Sequence, residues 1–247
     1  SWGIPGSLKM KPEIIAPGGN IYSVNGTHVE KGATLGGTDA YENMSGTSMA
    51  APQIAGMAAL MAQYIRENEA LSGYMSENGV TNRQLINSLL MSTASPIIEA
   101  DTGLPYSVLN QGAGLANVDS AMNAESYIMM DRNLRGTAVD GKVKAEFGDD
   151  PDCDGTYTAG FTIYNISGSA QRYNVYTDLF TQDIFADEDG QTYLDTWLTT
   201  LDAEFTYDFS DHTEIVSGFD CDVNHDGKTD ALDAQAIIGY VAGENDG

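Results

Sequence analysis

A serine with Gly-Thr on one side and two alanines and a proline on the other, in the stretch NMSGTSMAAP at 43–52, is the first place where this chain could do covalent chemistry. Ser48 leads into QIAGMAALMAQYI, a run of small and apolar residues. A serine at a helix start commonly caps it, accepting an orphan backbone N–H for about 1 kcal/mol. The neighbours argue for more than a cap. Gly46 permits close backbone approach, and Ala50 and Ala51 leave room for a substrate and a second side chain beside the hydroxyl. A helix N-terminus also favours negative charge, including the oxyanion formed when a serine attacks a carbonyl. The neighbours therefore leave two roles for Ser48, a helix cap and a nucleophile in acyl transfer. A G-x-S-x-G esterase elbow does not fit, because position 50 is Ala and the preceding strand signal is weak.

A second constellation lies near the other end, in DVNHDGKTDALD at 222–233. Asp222, Asn224 and Asp226 stand at loop positions 1, 3 and 5, Gly227 follows at 6, and Asp233 closes at 12. This is EF-hand calcium-loop spacing, in which the glycine permits the sharp turn and oxygens converge on one hard cation. Lys228 contributes its carbonyl, and Asp230 acts directly or through water. The departure is Asp rather than Glu at the last position. Calcium is the expected cofactor. DDPDCDG at 149–155 is also acidic but reads as a solvated turn, and Cys153 and Cys221 leave room for a single disulfide.

Three kinds of element must position these residues. In the first part of the chain, short extended segments alternate with helices, the pattern of an α/β domain. KPEIIAPG carries a brief strand closed by Pro17, Gly18 and Gly19, and residues 20–42 read as a surface connection with a short hairpin. Met49, Ile54, Met57, Leu60, Met61, Tyr64 and Ile65 repeat at helical spacing from Ser48 to about Arg66. With Ala and Gly between them, that helix is expected to be buried on most faces. Pro52 is expected in its first turn, where a missing N–H costs nothing. A second helix starts at Thr81 with a Thr81–Gln84 capping box, and a third covers NVDSAMNA at 117–124.

Beyond about residue 135 the pattern turns to strands, expected at 142–147, 156–166, 172–180 and 202–209. They suit a β-sandwich that is short of the usual seven or so strands. A short helix, ALDAQAIIGYVAG, follows the acidic loop. The balance of 36 acidic against 11 basic residues, a formal charge of -25, disfavours nucleic acid or an anionic lipid surface as partner. No apolar run is long enough to form a transmembrane segment.

The first region resembles the subtilisin-like serine proteases through several landmarks in order. These are SWG at 1–3, LKMKPEIIAPGGNIYS at 8–23, MSGTSMAAPQIAG at 44–56, LLMSTA at 89–94 and QGAGLANVDSA at 111–121. The style is most similar to the large cell-envelope subtilases of the lactocepin and C5a-peptidase type. The resemblance implies that Ser48 is the nucleophile of a serine endopeptidase acting on a protein or peptide substrate. It implies that the triad Asp and His and an oxyanion Asn stand upstream of it. NGTHVEKG at 25–32 is tempting, but His28 precedes Ser48 by only 20 residues and reads as a surface histidine; His212 and His225 lie downstream. Residues 1–126 are thus expected to be the C-terminal portion of a subtilase domain with a partial parallel sheet. This chain by itself is expected to be inactive for want of a general base.

Residues 135–216 resemble a fibronectin-III-like sandwich, and 217–247 resemble one repeat of a type I dockerin. The second resemblance implies a cohesin module as partner, with Ala231 and Leu232 at positions that help choose it. The two together imply a multidomain chain in an extracellular or surface-attached setting. The competing expectation is a non-catalytic protease scaffold whose activity is calcium-dependent cohesin binding.

Overall fold

The computed structural model describes residues 9–25, 41–130, 140–147, 155–175, 177–200 and 205–206. The chain divides into two compact units, residues 1–166 and 167–247. In the first, strands β1 (Ile21–Val24) and β2 (Tyr41–Met44) precede helices α1 (Thr47–Glu67), α2 (Glu69–Asn78) and α3 (Asn82–Ser92). Two short helices follow, α4 (Val108–Gln111) and α5 (Val118–Met122), then strands β3 (Ser126–Met130) and β4 (Phe161–Asn165). The first unit thus extends past residue 126, because β3 pairs antiparallel with β4. The parallel sheet expected here is represented, among the described residues, by one isolated bridge between Ile15 and Leu115.

One polar residue, Asn68, satisfies the end of α1 and the start of α2 at once. Asn68, in extended conformation, donates its N–H to the Tyr64 and Ile65 carbonyls, closing α1, while its Oδ1 accepts from Leu71 N–H at 3.0 Å, opening α2. Gly79 ends α2 in the left-handed region at φ 66°. The expected capping box opens α3: Gln84 N–H donates to Thr81 Oγ1 at 3.3 Å and Thr81 N–H to Gln84 Oε1 at 2.9 Å. The third expected helix is α5, shorter than 117–124, with Asn117 Oδ1 accepting from Asp119 and Ser120 N–H.

The core follows from a repeated spacing. Met61 and Ile65 on α1, Leu71 and Met75 on α2, and Leu85 and Leu89 on α3 are each a four-residue pair, and all six belong to one buried cluster with Ala121 and Tyr127. Tyr127 stacks on its cross-strand partner Tyr164 with ring centres 5.0 Å apart, and its hydroxyl pairs with that of Tyr74 at 3.0 Å. Two serines four residues apart seat α3 on β3: Ser88 Oγ donates to the Ile128 carbonyl at 2.6 Å, and Ile128 N–H donates to Ser92 Oγ at 3.2 Å. The helix α1 departs from expectation. Only Met61 and Ile65 are buried along it, and Leu60 is 52% exposed. Its apolar residues outnumber what the described part of the unit covers.

Residues 142–147 form no strand, contrary to the alternation of KVKAEF. Their charges are engaged instead. Lys144 Nζ, almost fully buried, donates to the Met10 carbonyl at 2.9 Å and to Glu146 Oε1 at 2.7 Å; Met10 N–H donates to the same carboxylate oxygen at 3.0 Å. Lys142 Nζ stands 3.1 Å from Glu13 Oε1 and 3.4 Å from Asp140 Oδ2, and Lys11 pairs with Glu13. Arg83 Nη2 on α3 meets Asp140 Oδ2 at 2.9 Å, and Asn87 Nδ2 donates to the Asp140 carbonyl at 2.7 Å. A continuous ionic network therefore ties residues 10–13 to residues 140–146 and to α3.

The described part of the second unit holds a hairpin of β5 (Phe180–Ala186) and β6 (Thr192–Thr200). Its turn is organised by Asp187, whose Oδ1 accepts from Asp189 and Gln191 N–H at 3.0 and 2.8 Å. The strand expected at 172–180 meets this hairpin only at Phe180, and β6 was not anticipated. Of the strand expected at 202–209, residues 205–206 are described and are not in a strand, and the rest lies outside the described residues. So do the residues of the helix expected at 231–243 and of the acidic stretch at 222–233.

Burial pushes the Glu13 carboxyl up, but Lys11 and Lys142 outweigh it and hold it at about 2, against an ordinary 4.5. A depressed carboxyl contributes stability that is present above pH 4.5 and is lost as the pH falls from there toward 2. Thermal midpoints measured across that window should fall on acidification, and Glu13→Gln should flatten the slope while lowering the midpoint at neutral pH.

Candidate active site

Ser48 is exposed and is the second residue of α1. It is not the cap. That place belongs to Gly46, at φ 153°, a conformation that residues with a side chain rarely adopt. The Gly46 carbonyl accepts from Met49 and Ala50 N–H at 3.0 and 3.3 Å, which closes the first turn without using the Ser48 hydroxyl. That hydroxyl has no hydrogen-bond partner among the described residues. Pro52 also sits deeper than expected, as the sixth helical residue rather than in the first turn. The N–H it lacks is the one that would have reached the Ser48 carbonyl.

The first turn is held from outside by the loop Pro17–Asn20. Gly46 N–H donates to the Gly18 carbonyl at 2.7 Å, Asn20 N–H donates to Ser45 Oγ at 2.8 Å, and Gln53 Nε2 donates to the Pro17 carbonyl at 2.6 Å. The approach is so close that a Cβ on Gly18 would stand 2.7 Å from the Gly46 carbonyl oxygen and 3.2 Å from Ala50 Cβ. The same loop runs into β1, which pairs antiparallel with β2 from Ile21↔Met44 to Val24↔Tyr41. The short hairpin expected within 20–42 is therefore present, and its second strand delivers the chain directly to Ser45 and Gly46. Residues 26–40 between the strands, His28 among them, lie outside the described residues.

Behind the loop, the segment QGAGLA is threaded between two others. Ala113 N–H donates to the Glu13 carbonyl at 2.9 Å, Ile15 N–H to that of Gly114 at 3.0 Å, and Ala116 N–H to that of Ile15 at 2.9 Å. On its other side Leu115 and Ser95 exchange both hydrogen bonds at 2.8 and 3.0 Å. Gly112 and Gly114 have φ of 58° and 114°, and a Cβ on either would lie within 2.4 Å of a carbonyl oxygen, of Glu13 or Ser95 respectively. Gln111 is buried and ties Ile97 and Tyr106 through three hydrogen bonds of 2.6 to 3.2 Å. Sequence landmarks far apart in the chain thus meet beside residues 13–15, which lead into the loop that holds the first turn of α1.

Residues 2–148 match the family model described as the subtilase family. The chain belongs to that family. Among the curated subtilase relatives, a PII-type proteinase of Lacticaseibacillus paracasei is 36% identical over 127 residues, which is 50% of this chain and 6% of that protein. A PI-type proteinase of Lactococcus lactis subsp. cremoris matches to the same extent, and a C5a peptidase of Streptococcus pyogenes is 31% identical over 129 residues, 52% of this chain and 10% of the relative. The chain thus spans a tenth or less of the length of these relatives. The family match runs past residue 126 to take in the ionic network at 140–146.

Of the expected functional residues of this subtilase chain, only Ser48 falls among those described. Asp222, Asn224, Asp226, Lys228, Asp230 and Asp233, Cys153 and Cys221, and His28, His212 and His225 all lie outside them, so no histidine is described. No described helix is long and apolar enough to cross a membrane. The side chain that sequence reading passed over is Gln53, hidden because a glutamine at the seventh position of a helix carries no signal of its tertiary partner. The tightness around Gly18 gives a paired test. Gly18→Ala should lower the denaturant midpoint by the equivalent of about 1–3 kcal/mol, as overpacking does. Gly19→Ala, with open space at its Cβ, should stay within about 0.5 kcal/mol of the parent.

Proposed function

We propose that this chain carries the nucleophile segment of an extracellular serine endopeptidase. The observation that carries the reading is the exposed Ser48 hydroxyl in the first turn of α1, free of a capping bond at the helix N-terminus. In the proposed reaction Ser48 Oγ attacks the carbonyl carbon of a peptide bond while its proton passes to a histidine general base, and the amine leaves with that proton. The Ser48 N–H and the positive end of α1 stabilise the oxyanion of the tetrahedral intermediate. The base, its orienting aspartate and an asparagine donor are proposed to come from segments upstream of this chain. The relatives named as proteinases and as a C5a peptidase support the reaction class.

The remaining regions are proposed to be a fibronectin-III-like sandwich and a dockerin-like unit that holds calcium through Asp222, Asn224, Asp226, the Lys228 carbonyl, Asp230 and Asp233, with cohesin as its partner. The support is the spacing of oxygen ligands around Gly227.

A fluorophosphonate probe tests the nucleophile. The protein with its upstream segments should be labelled, Ser48→Ala should abolish the label, and the present chain alone should not be labelled. Failure to label Ser48 in the longer protein would leave the scaffold reading, in which calcium-dependent cohesin binding is the activity. For the metal, calorimetric titration with calcium should show a site that Asp222→Ala removes, and a flat titration of the parent would end that assignment.

A further inference from the structure

Pro52 stands four residues after Ser48, so the helical bond that would tie residue 52 to the Ser48 carbonyl cannot form. A nucleophile gains from being held within a fraction of an ångström of its reacting position. The anchoring that the helix cannot supply at this point is provided by two consecutive carbonyls of the Pro17–Asn20 loop. On the near side of Ser48, Gly46 N–H donates to the Gly18 carbonyl at 2.7 Å. On the far side, immediately after Pro52, Gln53 Nε2 donates to the Pro17 carbonyl at 2.6 Å. Ser48 lies between the two anchors, and Gln53 is the one that bridges the interrupted turn from a side chain. The lack of space at Gly18, where a Cβ would meet both the Gly46 carbonyl oxygen and Ala50 Cβ, keeps the loop and the helix in register for both bonds.

We infer that Gln53 is a positioning residue for Ser48, holding the start of α1 to the Pro17 carbonyl across the break made by Pro52. The inference rests on the reading of Ser48 as nucleophile. It does not require Gln53 to touch substrate. What it requires is the amide donor: Gln53→Leu keeps much of the volume and removes it, and Gln53→Glu keeps the shape but presents an acceptor to an acceptor at neutral pH.

Two measurements separate this inference from the nucleophile reading. The first uses the present chain with Ser48→Cys, where the introduced thiol reports on the helix N-terminus without needing a base. Its alkylation-rate profile against pH should give an apparent pKa below the usual value of about 8.5. Adding Gln53→Leu or Gln53→Glu should move that pKa back toward the usual value while the thermal midpoint stays unchanged. The second uses the protein with its upstream segments, where either Gln53 variant should slow fluorophosphonate labelling of Ser48 by about ten-fold or more. A thiol profile indifferent to both Gln53 substitutions overturns the inference, as does a Gln53→Glu variant that behaves like the parent. Strong labelling that ignores Gln53 also overturns it and leaves the nucleophile reading standing. A shifted thiol profile with no labelling of Ser48 in the longer protein sinks the nucleophile reading and sustains the placement of residue 48 by Gln53.

Discussion

The first turn of α1 rests backbone against backbone on the loop at Gly18, and the arrangement of the rest of the site depends on that contact. No side chain intervenes, since even a methyl group there would collide with the Gly46 carbonyl oxygen. Contacts of this kind fix distances more tightly than packed side chains, which can change rotamer to absorb an error. Here the contact sets where Ser45 and Gly46 lie, hence where α1 begins, hence where the Ser48 hydroxyl emerges.

The loop must in turn be held, and it is held from behind at increasing distance from Ser48. Its lead-in, Glu13–Ile15, runs beside residues 113–116, where two glycines allow the chains to meet. One step further back, Glu13 and Met10 join the ionic network of residues 140–146, which reaches α3 through Arg83 and Asn87. The helix α3 is the best-buried of the described helices and carries Leu85 and Leu89 into the core shared with α1. The helix α1 and the loop that sets its start are therefore anchored through the same element by two routes, one apolar and one ionic.

Much of this was legible in the sequence where a single local rule decides the outcome. The Thr81–Gln84 box, the Asn117 start of α5 and the helical spacing of Met61 and Ile65 were plain because capping and periodicity act within a few residues. The helix α2 was not, because EALSGYMSEN is polar with a glycine in its middle; it is helical through the cap of Asn68 and the burial of Leu71 and Met75. Residues 142–147 alternate like a strand, but their lysines and Glu146 are spent on the segment at 10–13, a partner that alternation cannot reveal. At the site itself, the place of Ser48 near the start of a helix was readable and its capping role was misjudged by two residues, since Gly46 opens the helix with backbone alone. Gln53 was invisible because its meaning lies wholly in the carbonyl across from it.

The pairing of β1 with β2 has a bearing on how such a protein can diversify. The strands are locked in register from Ile21↔Met44 to Val24↔Tyr41, so the two ends of the intervening stretch are fixed opposite one another whatever that stretch contains. Closing a longer loop between fixed ends costs little more than closing a short one, about 0.6 kcal/mol for each doubling of length. The hairpin therefore works as a socket: material of varied length and character can be grafted between its strands while the loop and helix start that flank it stay still.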